Sequence, residues 1–201
     1  NGIRVQRGDV ELWRLMKEAG WETVIVAPES GSKKSLLKMR KDLNLDIIPG
    51  TVEAIKKTGL KVHGLFLIGY PGDERGDLEL TRKFIMRCQF DFFYLNVFQP
   101  LPGTPIYDEL VKSGEITDGL LPNSYSEGTR SYVTKGLIGF NFPFFVLRVY
   151  AEFALRNPLK VAYLFYLYDP RFLVKKLGKN IFGVFRKSAV LPISENMVVH
   201  D

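Results

Sequence analysis

Two short polar loops, each following an apolar run, most constrain the fold of this chain. The run 23–27 precedes the loop 28–32, and the run 61–68 precedes the loop 69–74. Both runs are apolar on both faces, which is typical of a parallel strand buried beneath helices. Because parallel α/β folds place their binding residues at the carboxyl ends of strands, we expect the two loops to lie side by side at one edge of one sheet and to form the functional site.

Helices are predicted to alternate with strands between residues 8 and 98. The segments expected to be helical are 9–19, 33–40, 46–58 and 77–88, and a further strand is expected at 92–98. Strand, helix and strand at this spacing indicate right-handed crossovers and a parallel sheet. With the end of an earlier strand at residues 2–5, the chain holds about four strands, which are too few to close a barrel, so upstream strands are expected.

Helical spacing and capping rules give three local expectations. The first helix is expected to bury one apolar face, formed by Leu12, Leu15, Met16 and Ala19. Asp73 is expected to cap the helix that follows the second loop. Cys88 falls on the same helical face as Leu78, Thr81 and Ile85, so it is expected to pack in the core.

The cysteine count excludes several classes of protein. A single cysteine allows no intramolecular disulfide framework and no zinc or iron–sulfur site built from several cysteines of this chain, and it suits a reducing compartment. With no cluster of Cys and His residues, we predict no metal site in the chain. We expect a cytoplasmic protein, since no apolar run reaches the length of a membrane span.

Positive charge is concentrated in the last third of the chain. Residues 143–187 carry nine basic and two acidic side chains among many aromatic ones, whereas residues 1–142 are almost balanced. Basic residues beside aromatic anchors favour peripheral attachment to anionic membranes. The alternative is that these helices cover the open side of the sheet and their charges are simply solvated. Nucleic acid is less favoured as a partner, since no recognised binding module accompanies the charge.

Four motifs in order along the chain resemble those of radical S-adenosylmethionine (SAM) enzymes, in particular the branch that often carries an N-terminal cobalamin-binding domain. They lie at residues 29–32, 37–41, 64–72 and 98–105. The resemblance implies an α/β fold, the later half of a partial (β/α)6 barrel with parallel strands, followed by an α-helical C-terminal extension. The domain boundaries expected on this basis are 1–113 for the barrel half, 114–142 for a connecting loop, 143–187 for the basic helical extension and 188–201 for a tail.

The resemblance also implies cofactors whose binding sites this chain does not complete. Enzymes of this family hold a 4Fe-4S cluster on a Cys-x-x-x-Cys-x-x-Cys loop, and this sequence has no such loop. The cluster-binding half is therefore expected upstream, as a missing N-terminal half of the same enzyme, or it has been lost. SAM is the expected cofactor of the half that is present, and cobalamin would be held by a missing domain.

Seven residues are matched to the SAM site by this resemblance. Glu29, with Ser30 beside it, matches the polar residue at the end of the fourth barrel strand, which contacts the methionyl or ribose end of SAM. Lys41 matches a basic position that pairs with the SAM carboxylate. The positions expected to flank the adenine are Leu67 and Gly69 at the fifth strand, and Phe98 and Gln99 at the end of the sixth.

The function implied for the intact enzyme is reductive cleavage of SAM, followed by hydrogen abstraction from an unactivated carbon or by its methylation through cobalamin. We assign no catalytic residue within this chain, which alone is expected to be inactive. Two alternatives remain open at this point, namely a non-catalytic remnant that binds without reacting and an unrelated α/β barrel enzyme. The small-molecule substrate is not readable from the sequence, and three upstream cysteines at the family spacing would discriminate the three hypotheses.

Overall fold

Helices and strands alternate along the residues described by the computed structural model, which are 10–119 and 132–160. The elements are α1 (Val10–Glu18), β1 (Thr23–Glu29), α2 (Lys33–Lys38), α3 (Ile48–Lys57), β2 (Lys61–Ile68), α4 (Arg75–Arg87), β3 (Phe92–Val97), α5 (Pro105–Lys112), a short 3-10 helix (Lys135–Leu137) and α6 (Phe142–Arg156). The predicted strand end at 2–5 and most of the predicted extension beyond residue 160 lie outside the described residues.

The three strands form one parallel sheet in the order β1-β2-β3. In the register, Ile25 pairs with His63, and His63 pairs with Phe92 on its other side. Helices make each connection between consecutive strands, as a parallel sheet requires. The predicted α/β class and the parallel sheet are therefore confirmed, and the strand predicted at 61–68 has the observed bounds of β2.

One face of the sheet is buried and the other is partly exposed. Along β1 and β2 burial alternates residue by residue, so that Val24, Val26 and Phe66 pack beneath the helices with almost no exposed surface. The intervening residues, such as Ile25 and Leu65, are only partly buried. The expectation that both faces are fully buried is wrong for the described residues, because alternate positions of β1 and β2 are only partly buried.

Helix α1 packs chiefly through Trp13, which is not on the predicted face, although the predicted Met16 packs beside it. Trp13 is 2% exposed, whereas Leu12 and Leu15 are about half exposed at 46% and 52%. Met16, which lies one turn from Trp13, is partly buried against the same core. The indole ring faces inward because it can bury more apolar surface than a single leucine side chain at the same place. The prediction for Cys88 is confirmed, since its side chain is 2% exposed within the core.

Helix α6 belongs to the main hydrophobic core. Its buried residues include Phe145, Val149 and Phe153. The Tyr150 hydroxyl accepts a hydrogen bond from the Leu95 amide at 3.3 Å and lies 3.4 Å from the Phe93 carbonyl, so it covers backbone groups of β3 that pair with no strand in the described residues.

The first helix of the predicted basic extension therefore covers the core, with its charges in ion pairs. Arg148 pairs with Glu79 of α4, and Arg156 pairs with Glu152 of its own helix. Among the described residues, no helix combines the length and the apolar character needed to cross a bilayer. Membrane attachment of residues 143–187 remains a prediction, and the part of this segment beyond residue 160 lies outside the described residues.

Candidate functional site

The loops that follow β1 and β2 meet at the carboxyl edge of the sheet, as predicted. The Ser35 hydroxyl, at the start of α2, donates to Asp73 Oδ1 at 2.6 Å. The Lys38 ammonium donates to the Gly72 carbonyl at 3.1 Å. These two bonds join segments that are more than thirty residues apart in sequence, and they fix the loops relative to each other.

Asp73 organises the second loop from within. Its carboxylate is 3% exposed and accepts a hydrogen bond from the Tyr70 amide at 3.0 Å in addition to the one from Ser35. Burial raises the pKa of the Asp73 carboxyl, although these hydrogen bonds oppose the rise. The prediction that Asp73 caps the next helix is wrong, because Glu74 occupies the N-cap and forms a reciprocal capping box with Asp77. Asp73 faces the loop because Ser35 and the Tyr70 amide supply its donors there.

The first loop lies directly against helix α4. The Gly31 amide donates to Thr81 Oγ1 at 3.0 Å, and the Ser30 hydroxyl lies 3.1 Å from the same oxygen. Ser30 is 2% exposed, and its oxygen also accepts a bond from the Ser32 amide. The Ser30 hydroxyl is thus used within the protein, and we leave it out of the proposed ligand contacts.

Asp77 connects the first loop to the start of α4. Its carboxylate accepts from the Ser32 hydroxyl at 2.6 Å, from Lys34 at 3.2 Å and from the Glu74 amide at 2.9 Å. Burial raises the pKa of the Asp77 carboxyl, but these donors outweigh it, and the pKa lies below its ordinary value.

We expect this network to be lost in acid. Because the folded-state pKa of Asp77 is depressed, its contribution to stability is complete above the ordinary aspartate pKa of about 4 and is lost as pH falls through the folded value. Asp77→Asn should therefore reduce the acid-induced loss of unfolding free energy, measured by urea denaturation from neutral pH downward. Asp46→Asn, at an exposed carboxylate 3.6 Å from Lys33, is the control and should leave the profile unchanged. Equal dependence of unfolding free energy on pH in the wild type and in Asp77→Asn would contradict the depressed pKa of Asp77.

At the end of β1, Glu29 and Lys41 form an ion pair. The Lys41 ammonium lies 3.0 Å from Glu29 Oε1, and the Glu29 side chain is 19% exposed. The pairing of β1 with β2 shifts register between Val26 and Glu29, and Glu29 has a φ of 65°. A non-glycine residue in this left-handed region is strained, and such strain clusters at functional sites. Helix α2 has only six residues, so the chain returns at once and brings Lys41 back to the strand end.

Apolar side chains line the ends of the neighbouring strands. Leu67 is partly buried against a cluster that contains Phe98, which is 7% exposed. The Tyr70 ring stands edge-on to Phe98 with centroids 4.9 Å apart. Gly69 has a φ of 76°, a conformation that favours glycine, and it brings the backbone against Phe142. Gln99 follows Phe98 at the same edge and is partly buried.

Six of the seven predicted residues thus form an ionic pair and an apolar wall on adjacent strand ends, whereas Ser30 bonds within the protein. The pair is Glu29 and Lys41, and the wall is formed by Leu67, Gly69 and Phe98, with Gln99 beside it. Sequence reasoning missed Tyr70, whose ring completes the wall, although its place within the Gly-Tyr-Pro-Gly turn was a usable signal. A rim with both charges at one end and apolar surface at the other suits a ligand with a zwitterionic end and a flat apolar part.

No iron–sulfur ligands accompany this rim in the described residues. They contain no group of three or more His, Cys, Asp or Glu side chains arranged to hold a metal ion. Cys88 caps the carboxyl end of α4, at the opposite end of the sheet from the rim. Burial raises the pKa of the Cys88 thiol to about 12, so it stays protonated and does not fit as a cluster ligand.

Comparison with known proteins identifies the fold and the family. No protein-family model matches the chain. Over 177 residues it is 25% identical to an uncharacterized methyltransferase of Pyrococcus horikoshii, covering 88% of this chain and 36% of that protein. Over 152 residues it is 32% identical to a protein of Methanocaldococcus jannaschii named as a methylthiotransferase, covering 75% of this chain and 32% of that protein. The chain therefore spans about a third of the length of these relatives.

The fold is similar to that of the radical SAM methyltransferase TsrM of Kitasatospora setae, solved with cobalamin and a 4Fe-4S cluster bound. The TM-score is 0.58 at 15% identity, over 73% of this chain and 35% of that one. The chain belongs to the radical SAM superfamily. Its three parallel strands are part of a radical SAM barrel, and the barrel class expected from the sequence is confirmed.

Proposed function

We propose that this chain forms the later half of the barrel of a radical SAM enzyme and that its strand-end rim binds SAM. The intact enzyme would use SAM for radical chemistry or for methylation of an unactivated carbon. The observation that carries the proposal is the Glu29–Lys41 pair, 3.0 Å apart, beside the apolar wall on the next two strands. The relatives named as a methyltransferase and a methylthiotransferase support this class of chemistry.

The rim residues fit the chemistry of SAM. Its methionyl end carries an ammonium and a carboxylate, for which Glu29 and Lys41 supply the complementary charges. Its adenine is a flat ring that Leu67 and Phe98 can contact through apolar surface, with Gly69 keeping the backbone clear beside them. The two halves of the ligand would therefore lie on neighbouring strand ends, which is the order in which the two sets of residues occur.

The residues of this chain do not fit a 4Fe-4S cluster, since its one cysteine is buried and protonated away from the rim. We propose that the cluster ligands lie in an N-terminal half of the same enzyme. In the described residues β1 pairs only with β2, and α1 leaves Val10, Leu12 and Leu15 about half exposed. An unpaired strand edge beside exposed apolar residues would suit an adjoining barrel half. TsrM binds cobalamin, and in the enzyme that carries this chain cobalamin would be held by a part outside the chain.

The experiment is SAM binding by titration calorimetry to the intact protein that carries this chain. Glu29→Gln should weaken binding by about 10- to 100-fold, because it removes a charge-assisted hydrogen bond from a mostly buried position. Glu53→Gln is the matched control, since Glu53 pairs with Lys57 at 2.8 Å on the exposed side of α3. We expect the control to bind SAM as the wild type does. An unchanged dissociation constant for folded Glu29→Gln would remove this residue from the site, and no SAM binding by the wild type would refute the proposed function.

A further inference from the structure

A segment beyond the barrel motifs, residues 132–137, packs against the end of the second loop; we name it the strap. Thr134 Oγ1 accepts a hydrogen bond from the Gly72 amide at 2.8 Å. Gly136 lies so close to the loop that an added Cβ would stand 2.6 Å from the Asp73 carbonyl oxygen. Leu137 is fully buried in the main core and anchors the end of the strap. The strap is thus fixed to the core through Leu137 and contacts the loop through Thr134 and Gly136.

The start of the strap is held to the segment that follows α5. The Tyr132 hydroxyl donates to Glu115 at 3.1 Å, and Lys135 lies 3.5 Å from the same carboxylate. Burial raises the pKa of Tyr132 to about 12, so the hydroxyl keeps its proton and remains a donor.

The strap also extends the apolar wall. Tyr132 is 5% exposed, and its ring stands edge-on to Phe98 with centroids 5.9 Å apart. It belongs to the same cluster that holds Leu67 and Tyr70. The strap therefore contacts the wall through a ring and contacts the neighbouring loop through a buried hydrogen bond.

We propose that the strap positions the 69–73 loop for SAM and that Thr134 is its positioning residue; this inference rests on the proposed function. Gly69 and Gly72 both have positive φ and no side chain to hold them, so the loop depends on partners outside it in addition to the internal bonds between Tyr70 and Asp73. The only side chain that accepts from the Gly72 amide in the described hydrogen bonds is Thr134. Without it, a partly buried N–H loses its acceptor and the loop loses its attachment to the strap.

The test compares Thr134→Val, which keeps the shape and removes the acceptor, with Thr134→Ser, which keeps the acceptor. In the intact protein we expect Thr134→Val to weaken SAM binding about tenfold in calorimetry and Thr134→Ser to restore it to within about threefold of wild type. Thr51→Val is the matched control, because Thr51 is also buried but bonds only the Ile47 carbonyl within α3. Its SAM affinity should equal that of wild type.

The outcomes separate this inference from the proposed function. If the wild type binds SAM and folded Thr134→Val binds equally well, the strap does not position the loop and the inference is wrong. If the serine variant binds as weakly as the valine variant, the hydrogen bond is not the cause and the inference is also wrong. Should Thr134→Val fail to fold, Tyr132→Phe decides, and SAM affinity equal to wild type in that variant would overturn the inference. Absence of SAM binding by the wild type refutes the proposed function instead.

Discussion

Gly31→Ala is expected to lower the free energy of unfolding by about 3 kcal/mol. A Cβ at Gly31 would lie 2.5 Å from Phe84 Cβ, 2.6 Å from the Leu80 carbonyl oxygen and 2.8 Å from Thr81 Cα. Two of these atoms belong to the backbone of α4, so no side-chain rotation can clear the space. The loop would have to move away from the helix, and the Gly31–Thr81 hydrogen bond would break with it.

Gly50→Ala provides the control for this measurement. Gly50 lies inside α3, and a Cβ there would meet nothing within 4 Å. Alanine is favoured over glycine in a helix, so this variant should gain about 0.5–1 kcal/mol in unfolding free energy. Urea denaturation of both variants and the wild type gives the two values side by side. If Gly31→Ala is as stable as the wild type, the first loop does not pack on α4 as closely as described.

Phe93→Ala is expected to lower the free energy of unfolding by about 3–5 kcal/mol. Phe93 is fully buried in β3 and stacks on Tyr150 of α6 with ring centroids 4.6 Å apart. Phe153, one turn further along α6, stands edge-on to the same ring at 5.1 Å. Removing the ring would leave a cavity between the sheet and α6. The loss of unfolding free energy therefore measures how much the packing of α6 on the sheet contributes to stability.

The matched substitution on α6 itself is Phe144→Ala. Phe144 is 62% exposed, so its removal should change the unfolding free energy by less than about 0.5 kcal/mol. Both variants are measured by urea denaturation with the wild type. Nearly equal, small effects of the two substitutions would mean that α6 does not pack on the sheet as described.

The parts of the site that the sequence predicts are those with a local signal. An apolar run followed by a polar turn identified β2 and its loop, because the chain there must first bury a strand and then reverse direction. The Thr104-Pro105 pair likewise marks the start of α5, where Thr104 accepts from the Tyr107 amide as an N-cap. Such signals fix the positions of elements, and they place Glu29 and Gly69 at neighbouring strand ends.

The parts that it missed depend on contacts between distant segments. Gly, Ser, Thr and Asn between residues 115 and 142 are typical of a connecting loop, yet residues 132–137 form the strap. Nothing local to Thr134 shows that its oxygen accepts from Gly72, which lies 62 residues earlier. For the same reason Asp73 was predicted as a helix cap, although its donors come from Ser35 and Tyr70.

The central claim, that the rim formed by the ends of β1, β2 and β3 binds SAM, can be tested by amide hydrogen exchange of the intact protein with and without SAM. We expect saturating SAM to slow exchange in peptides that cover residues 29–31, 66–73 and 96–99. Peptides covering the carboxyl end of α3, which leads into the amino end of β2 opposite the rim, should exchange equally in both conditions. Slower exchange only outside the three rim segments, or unchanged exchange at saturating SAM, would contradict the claim.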